Sequence, residues 1–267
     1  MRLLGIIAGN RSFPLHVARA AKAQGYSVVA VGLKEETDPL LEKEVDRMHW
    51  VSFSEIGSIP GLLKEAGVRE VVLAGQIRPE RLLGKELRLD GIAAGLLRAV
   101  PDRSGTTAMQ MAVRYLESKK FRVLHSGIFL KEWIPARGCL TKLDFTPEQK
   151  ADALFGFTVA RQMARWKIGQ TVVVRHKAVA AVEAMEGTDE TIRRAGQRVG
   201  PGCLAVKACE PGHDMRFDIP VIGPDTIRAL SESAAVGIAV QAGKVLLFER
   251  EQVIQEADRL GLRVVAL

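Results

Sequence analysis

Short apolar runs alternate with helix-period segments along the first half of the chain. LLGII opens it as a strand, Phe13–Ala23 has the spacing of an amphipathic helix, and SVVAVG and RMHWVS follow as two further strands. A helical segment around Ile59–Glu65 then leads into EVVLAG, a buried strand that ends in a glycine. Strands that alternate with helices over short loops favour a parallel, doubly wound sheet. We therefore predict a Rossmann-like N-terminal domain over residues 1–131.

The second half returns to the same alternation after a break. The stretch IPARGCLTKLDFTP carries two prolines and a glycine but no helical stripe, so residues 132–146 are predicted as a short linker. A helix is predicted from Glu148 to about Trp166. The strands predicted after it are TVVVR, AVAAVEA, CLAVKAC, VGIAV and KVLLFE, with helices after Thr188, Pro224 and Arg250. Residues 147–267 are thus predicted as a second α/β domain, and the whole chain as an α/β protein.

Composition narrows the class of ligand. The chain of 267 residues has a net charge of +7, and its cations are spread along it, which favours an anionic ligand or surface. Nucleic acid is disfavoured as a partner, because only 5% of residues are aromatic and there is no RNA-binding signature or Cys/His finger spacing. The three cysteines lack a CxxC arrangement and are expected to be reduced thiols. With no signal-peptide pattern and no stretch of about 20 apolar residues, a cytoplasmic protein is expected.

The first strand ends in a small polar turn. Gly9, Asn10, Arg11 and Ser12 precede the first predicted helix, whose free N–H groups face an anion in many nucleotide-binding proteins. A plain turn at Gly9 with a helix cap at Ser12 explains the same residues equally well. The full G-x-G-x-x-G fingerprint is missing, and the acidic residue expected about 20 residues later is poorly supplied. A nicotinamide cofactor, and with it an NAD-dependent oxidoreductase, is therefore disfavoured.

A second small-residue turn follows the buried strand EVVLA at Gly75 and Gln76. Because parallel strands end at one edge of a sheet, Gly9 and Gly75 are expected to border one crevice, with Asn10 and Gln76 placed to contact a uracil or a ribose. Two ordinary turns are the equally weighted alternative. A third polar helix start contains Thr106, for which simple capping is the leading local explanation and anion binding the alternative.

Two acidic segments mark the second half. Glu183 interrupts an apolar strand, and because an unpaired buried carboxylate is costly, we expect it to meet a metal cation or a basic side chain. Glu186, Gly187, Thr188 and Asp189 follow it at a helix start, where capping and the helix dipole account for most of their polarity.

The other segment runs from a strand end at Lys207 to Asp218, which stands between Phe217 and Ile219. Cations and carboxylates this close together suit phosphate chemistry with a hard divalent metal. The cysteines lack zinc-site spacing.

Five motifs occur together in a familiar order. They are IIAG before a polar turn and a proline, LAGQIRP, VEAMEGTD, LAVKACEP and FDIPVIGPDTI. Over essentially its full length the chain resembles the UDP-2,3-diacylglucosamine pyrophosphatases of the LpxI type. The resemblance implies a metal-dependent hydrolase of lipid A biosynthesis, active with Mg²⁺ or another divalent cation such as Mn²⁺, and a homodimer. It also implies cleavage of UDP-2,3-diacylglucosamine into 2,3-diacylglucosamine 1-phosphate (lipid X) and UMP, with attack on the phosphorus next to the sugar.

The resemblance places the family's key aspartate on Asp218, in FDIP. The roles of the other candidate residues are our own mechanistic hypothesis. The predicted catalytic residues are Asp218, Lys207 and Glu183. The predicted metal ligands are Asp218, Asp189 and Glu186. The predicted substrate-binding residues are Gly9, Asn10, Arg11, Ser12, Gly75, Gln76, Thr106, Gly187 and Thr188.

The expected substrate also implies a membrane partner. A glycolipid nucleotide with two acyl chains resides in a leaflet whose anionic surface attracts a basic protein, so transient contact with the inner-membrane surface is expected. The rival hypothesis from another class is a non-catalytic sugar-nucleotide or lipid-phosphate sensor that uses the same crevice.

Overall fold

A computed structural model describes residues 2–77, 90–98, 105–217 and 219–267. The chain divides into two compact units. One consists of Met1–Lys131 together with Asp214–Asp218, and the other of Glu132–His213 together with Ile219–Leu267. The division after Lys131 is where the sequence pattern changes, but the short segment from the second half was not expected in the first unit.

The first unit contains a parallel sheet. Its strands are β1 (Arg2–Ala8), β2 (Tyr26–Leu33), β3 (Arg47–Val51), β4 (Glu70–Ala74) and β5 (Arg122–Val123). They lie in the order β3-β2-β1-β4-β5, and every neighbouring pair is parallel. This order places β1 at the centre, as in a Rossmann-like sheet, and the prediction of the fold class is confirmed.

The helices of the first unit start where the sequence places its polar turns and prolines. They are α1 (Phe13–Ala23), α2 (Ile59–Glu65), α3 (Gly91–Arg98) and α4 (Gly105–Ser118), with 3₁₀ turns at Pro39–Lys43 and Phe53–Ser58. The central strands β1 and β2 are buried on both faces, which explains why they are continuous apolar runs without alternation.

The second unit is built on a mixed sheet. Its strands are β6 (Gly138–Cys139), β7 (Thr171–Arg175), β8 (Ala178–Val182), β9 (Leu204–Lys207), β11 (Gly237–Val240) and β13 (Arg263–Ala266), in the order β6-β13-β11-β9-β7-β8. The strands β9, β11 and β13 are parallel, whereas β6, β7 and β8 pair antiparallel with their neighbours. The strands β10 (Val221–Ile222) and β12 (Leu246–Leu247) form a separate parallel pair.

Helices cover both faces of the mixed sheet. They are α5 (Pro147–Arg165), α6 (Thr188–Val199), α7 (Pro224–Glu232) and α8 (Arg250–Arg259), and a 3₁₀ turn spans Lys131–Trp133. Alternate strand residues supply two cores. Val173 packs in the core that contains buried residues of α6, α7 and α8, whereas Val172 and Val174 pack in the core that contains those of α5.

The structure differs from the predicted elements in the second half. The strands β6, β10 and β13 were not predicted, and the predicted strand KVLLFE is reduced to the two residues of β12. Residues 132–146, predicted as a linker, contribute β6, which pairs with β13. Among the residues described, no helix has both the length and the apolar character needed to cross a bilayer.

Candidate functional site

The turns after β1 and β4 are joined through their backbones. The N–H of Gly9 donates to the carbonyl of Ala74 at 2.7 Å, and the N–H of Asn10 donates to the carbonyl of Gln76 at 2.8 Å. A Cβ on Gly9 would lie 2.4 Å from the Gln76 oxygen, and one on Gly75, whose φ is +87°, would lie 2.6 Å from the Asn10 oxygen. Both glycines are therefore required by close backbone approach, and the expectation that the two turns share one edge of the sheet agrees with this geometry.

The side chain of Asn10 reaches the end of β2. Its Nδ2 donates to Oε2 of Glu36 at 3.1 Å. Its Oδ1 is inaccessible to solvent and accepts no hydrogen bond from any residue that the structure describes. Glu36 stands where a Rossmann-like fold places the acid that binds a ribose, so it is a candidate binding residue that is missing from the predicted set. The sequence signal for Glu36 was the acidic pair that begins two residues after the end of β2, although its spacing from Gly9 is longer than about 20 residues.

Arg11 and Ser12 complete the turn. Arg11 is exposed and has a φ of +64°, the left-handed region that a non-glycine residue rarely adopts. Ser12 makes no side-chain capping bond to α1, so simple capping does not explain it. Its carbonyl instead accepts the N–H groups of Leu15 and His16. Thr106 lies in the first turn of α4, and its side chain is outside the described part of the molecule.

In the second unit, Glu183 meets a basic side chain, as the sequence predicted. Its Oε2 lies 3.7 Å from Nζ of Lys207, and the two side chains are 12% and 5% exposed. Lys207 Nζ donates to Oγ1 of Thr171 at 3.1 Å and to Oγ1 of Thr188 at 2.6 Å. The Thr188 hydroxyl donates in turn to Oε1 of Glu183 at 2.9 Å, and the N–H of Gln170 donates to Oε2 at 3.1 Å. We call Glu183, Lys207, Thr171 and Thr188 the buried cluster.

The buried cluster sets the ionisation of Glu183. Burial by itself raises the pKa of this carboxyl group, but the positive charge of Lys207 and the hydrogen bonds from Thr171, Thr188 and the Gln170 backbone outweigh it. The pKa of Glu183 is therefore held below its usual value, and this carboxylate is ionised at neutral pH. The ammonium group of Lys207 is directed at its own cluster in this structure, and its predicted contact with phosphate stays a prediction.

The other predicted acids at the start of α6 have protein partners. Glu186 forms an ion pair with Arg194, and Oδ1 of Asp189 accepts a hydrogen bond from Oγ1 of Thr226 at 2.8 Å. Although burial raises the pKa of Glu186, hydrogen bonds to its carboxylate and the charge of Arg194 hold it below its usual value. Gly187 has a φ of +82°, which allows the chain to turn into α6.

The protein partners of Glu186 and Asp189 affect whether these two carboxylates can bind magnesium. In the described ranges, no three His, Cys, Asp or Glu side chains form a group that would hold a metal ion. Glu186 and Asp189 are bound to Arg194 and Thr226 instead, and Asp218 lies outside the described residues. The described carboxylates therefore do not form a magnesium site by themselves.

The residues just before Asp218 belong to the first unit. Phe217 is 2% exposed within the first unit's core, and the N–H of Ser126 donates to the carbonyl of Met215 at 3.0 Å. Arg216 binds Asp214 through Nε at 2.9 Å and Nη2 at 2.6 Å, and its Nη1 pairs with Glu117. The segment before Asp218 is thus held by the buried ring of Phe217 and by an ion-pair network around Arg216. Neither contact was predicted from the sequence.

The first unit is a parallel sheet with two glycine turns at one edge, and the second is an α/β unit with a buried ion pair. Together they define a two-domain α/β protein of the Rossmann-like class. Comparison with protein families identifies the family within this class. Residues 3–133 match the LpxI N-terminal domain and residues 136–265 match the LpxI C-terminal domain. The chain belongs to the LpxI family.

A curated relative spans the whole chain. The protein called UDP-2,3-diacylglucosamine pyrophosphatase LpxI from Caulobacter vibrioides is 33% identical over 281 aligned positions, which cover 100% of this chain and 98% of the relative. The resemblance seen in the motifs is therefore confirmed over both domains.

Solved structures give only distant likenesses. The biotin carboxylase subunit of pyruvate carboxylase is 13% identical with a TM-score of 0.29, over 75% of this chain and 43% of that one. The N5-carboxyaminoimidazole ribonucleotide synthetase from Thermotoga maritima is 16% identical with a TM-score of 0.25, over 70% of this chain and 42% of that one. The chain spans less than half the length of these proteins, and likenesses this low carry no argument about fold or function.

Proposed function

We propose that this protein hydrolyses the pyrophosphate bond of UDP-2,3-diacylglucosamine. The observation that carries the proposal is the full-length match to a relative named for this reaction, with both LpxI domain models found in order. The products are 2,3-diacylglucosamine 1-phosphate and UMP. This hydrolysis is a step of lipid A biosynthesis.

The bonds made and broken follow from the proposed site of attack. A water oxygen bonds to the phosphorus next to the sugar, and the bond from that phosphorus to the bridging oxygen breaks. The bridging oxygen leaves with UMP, and the water's protons pass to solvent or to a nearby base. Hydrolysis in ¹⁸O-labelled water should therefore place the label in the sugar phosphate and none in UMP.

The crevice of the first unit suits the nucleotide half of this substrate. The amides of Asn10 and Gln76 offer donors and acceptors that match a uracil edge, and the Glu36 carboxylate is a suitable acceptor for ribose hydroxyls. The exposed Arg11 adds positive charge beside the helix N-terminus, where a phosphate is favoured.

Asp218 is proposed as the main catalytic carboxylate, on the FDIP motif alone. Its carboxylate would orient the attacking water or hold a divalent cation, and such a cation would supply positive charge to balance the phosphates. Magnesium dependence and a homodimeric state are proposed with it. Chelation by EDTA tests the first, and sedimentation tests the second.

The deciding experiment measures UMP release from the substrate in detergent micelles, with magnesium and with EDTA. We expect the Asp218→Ala variant to lose nearly all turnover while it still binds the substrate, because removing a group that acts on the transition state lowers kcat. Asp225→Ala is the matched control, because this carboxylate is exposed and pairs only with Arg228 among the residues described. It should keep normal activity.

Two results would contradict the proposal. Binding of UDP compounds without UMP release under any metal condition would assign the protein to the sensor class. Near-normal turnover of Asp218→Ala would remove Asp218 from the catalytic role, whatever the reaction.

A further inference from the structure

A long stretch of the second unit carries only positive charge. Residues 153–182 contain five Lys or Arg residues and no Asp or Glu. The stretch covers most of α5, the turn after it, and the strands β7 and β8. These residues therefore carry a local charge of +5, not counting histidine. A concentration of positive charge in one segment favours an anionic partner at that segment.

Part of this stretch lines a groove on the outer side of α5. We call it the basic groove; its volume is about 550 Å³. Its residues include three arginines, Arg137, Arg161 and Arg165, all of them exposed, and the apolar side chains of Leu154, Phe157 and Leu267. No carboxylate side chain is among its described lining residues. The guanidinium of Arg161 lies 5.3 Å above the Phe157 ring, which holds this cation over an apolar floor.

Large apolar side chains stand exposed beside these cations. Leu154 is 59% exposed within the groove, and Trp166 and Ile168, just beyond the end of α5, are 72% and 44% exposed. An exposed tryptophan flanked by basic residues is typical of surfaces that lie at a membrane interface, where the indole stays at the level of the head groups and arginines meet lipid phosphates.

The chain leads directly from the helix that lines the basic groove to the strand that carries Thr171 of the buried cluster. The chain leaves α5 at Arg165 and enters β7 at Thr171, which is the strand partner of Lys207 at the carboxyl end of β9. The surface formed by Trp166 and Ile168 therefore lies within a few residues of the cluster along the chain.

We propose that the basic groove, with Trp166 and Ile168, docks on the anionic surface of a lipid bilayer. We argue the occupant from charge complementarity. Clustered cations with no acidic side chain among the described lining residues match acidic lipid head groups, and the apolar side chains beside them match the acyl boundary. The biological purpose rests on the proposed function, because a substrate with two acyl chains has to be taken from a membrane. Docking itself is independent of catalysis.

The test is sedimentation of the full-length protein with vesicles of phosphatidylglycerol and phosphatidylcholine, against vesicles of phosphatidylcholine alone. The double variant Arg161→Gln/Arg165→Gln should bind the anionic vesicles on the order of thirtyfold more weakly, as expected for two cations near a charged surface. Trp166→Ala should weaken binding at both low and high salt, because an apolar contact is not screened. The matched control is Arg47→Gln/Arg69→Gln, which removes the same charge from exposed positions of the first unit.

The outcomes separate docking from nonspecific attraction. Docking is supported if the groove variant loses vesicle binding and the control keeps it, whether or not the protein releases UMP. Equal loss in both variants, or wild-type binding by the groove variant, would overturn it. It would also be overturned if the groove bound a second copy of the chain, seen as a groove-dependent change of mass without vesicles. The detergent assay tests the proposed hydrolysis separately.

Discussion

At the scale of single residues, the buried cluster is the feature with the largest energetic consequence. Two charges are removed from water, and their mutual attraction offsets that cost only while both are present and the threonine hydroxyls complete their hydrogen bonds. Removing one partner therefore does more than delete a contact, because it leaves the other charge buried without compensation.

We expect Glu183→Gln to lower the free energy of unfolding by about 3–5 kcal/mol, because it leaves the Lys207 charge buried without its counterion. The double variant Glu183→Gln/Lys207→Met should recover part of this loss. Glu186→Gln is the control: its ion pair with Arg194 is partly exposed, so the variant should cost about 1 kcal/mol or less. Urea unfolding of the variants measures these differences. Equal costs at positions 183 and 186 would contradict the argument.

The same pair predicts a dependence on pH. The pKa of Glu183 is lower in the folded protein than its ordinary value of 4.5, so its ionisation stabilises the fold above that value. This stability is lost as the pH falls from about 4.5 through the lower folded pKa. The wild type should therefore lose more stability on acidification than Glu183→Gln.

The pattern of residues along the chain predicted part of the buried cluster. A carboxylate in an apolar strand indicated that a cation must be close, and Lys207 is that cation. The identity of the partner was beyond the sequence, because it depends on the antiparallel pairing of β7 with β9. Glu36 was missed for a similar reason, since only the fold brings the end of β2 to Asn10.

At the scale of elements, the backbones of the two glycine turns after β1 and β4 approach each other more closely than a residue with a Cβ atom would allow. A methyl group at Gly9 would meet backbone rather than a flexible side chain, so the neighbouring turn has to move. The proposed nucleotide site is bordered by these turns, so its shape depends directly on the positions of the strand ends.

We expect Gly9→Ala to cost about 1–3 kcal/mol of stability and to weaken UDP binding, because the added Cβ forces the turns apart. The control is Gly61→Ala. Gly61 lies in α2 with open space around it, and alanine there should be neutral or stabilise the helix by up to about 1 kcal/mol. Thermal unfolding and UDP titration measure both effects. Unchanged UDP affinity in Gly9→Ala would show that the crevice does not bind the nucleotide.

Element prediction succeeded where periodicity runs over many residues. The predicted helix Phe13–Ala23 has the observed bounds, and the strand TVVVR is β7 in full. The two-residue strands β6, β10 and β12 carry no period of their own. They exist because a neighbouring strand offers hydrogen bonds, which is a property of the fold rather than of the local sequence.

At the scale of the whole molecule, the first unit depends on a distant part of the chain. The buried ring of Phe217 belongs to the same core as Val31, Leu73 and Leu116 of the first unit. No local pattern predicts this, because a single phenylalanine in an irregular segment is compatible with either unit.

We expect Phe217→Ala to destabilise the protein by about 3–5 kcal/mol through the lost burial and the cavity that remains. Phe217→Leu, which keeps most of the volume, should cost much less. Denaturant unfolding followed at Trp50, which lies in β3, reports on the first unit. A small effect of Phe217→Ala on this signal would mean that the segment contributes little to the core.

Phe217 also has a consequence for the order of events on the ribosome. Domains usually fold as they emerge, the N-terminal one first. Here the first 131 residues leave the exit tunnel without the ring that completes their core, and they receive it only after most of the second half has been made. The nascent N-terminal domain therefore has an incomplete core during that interval, and the last step of its folding is set by the speed of translation through the second half.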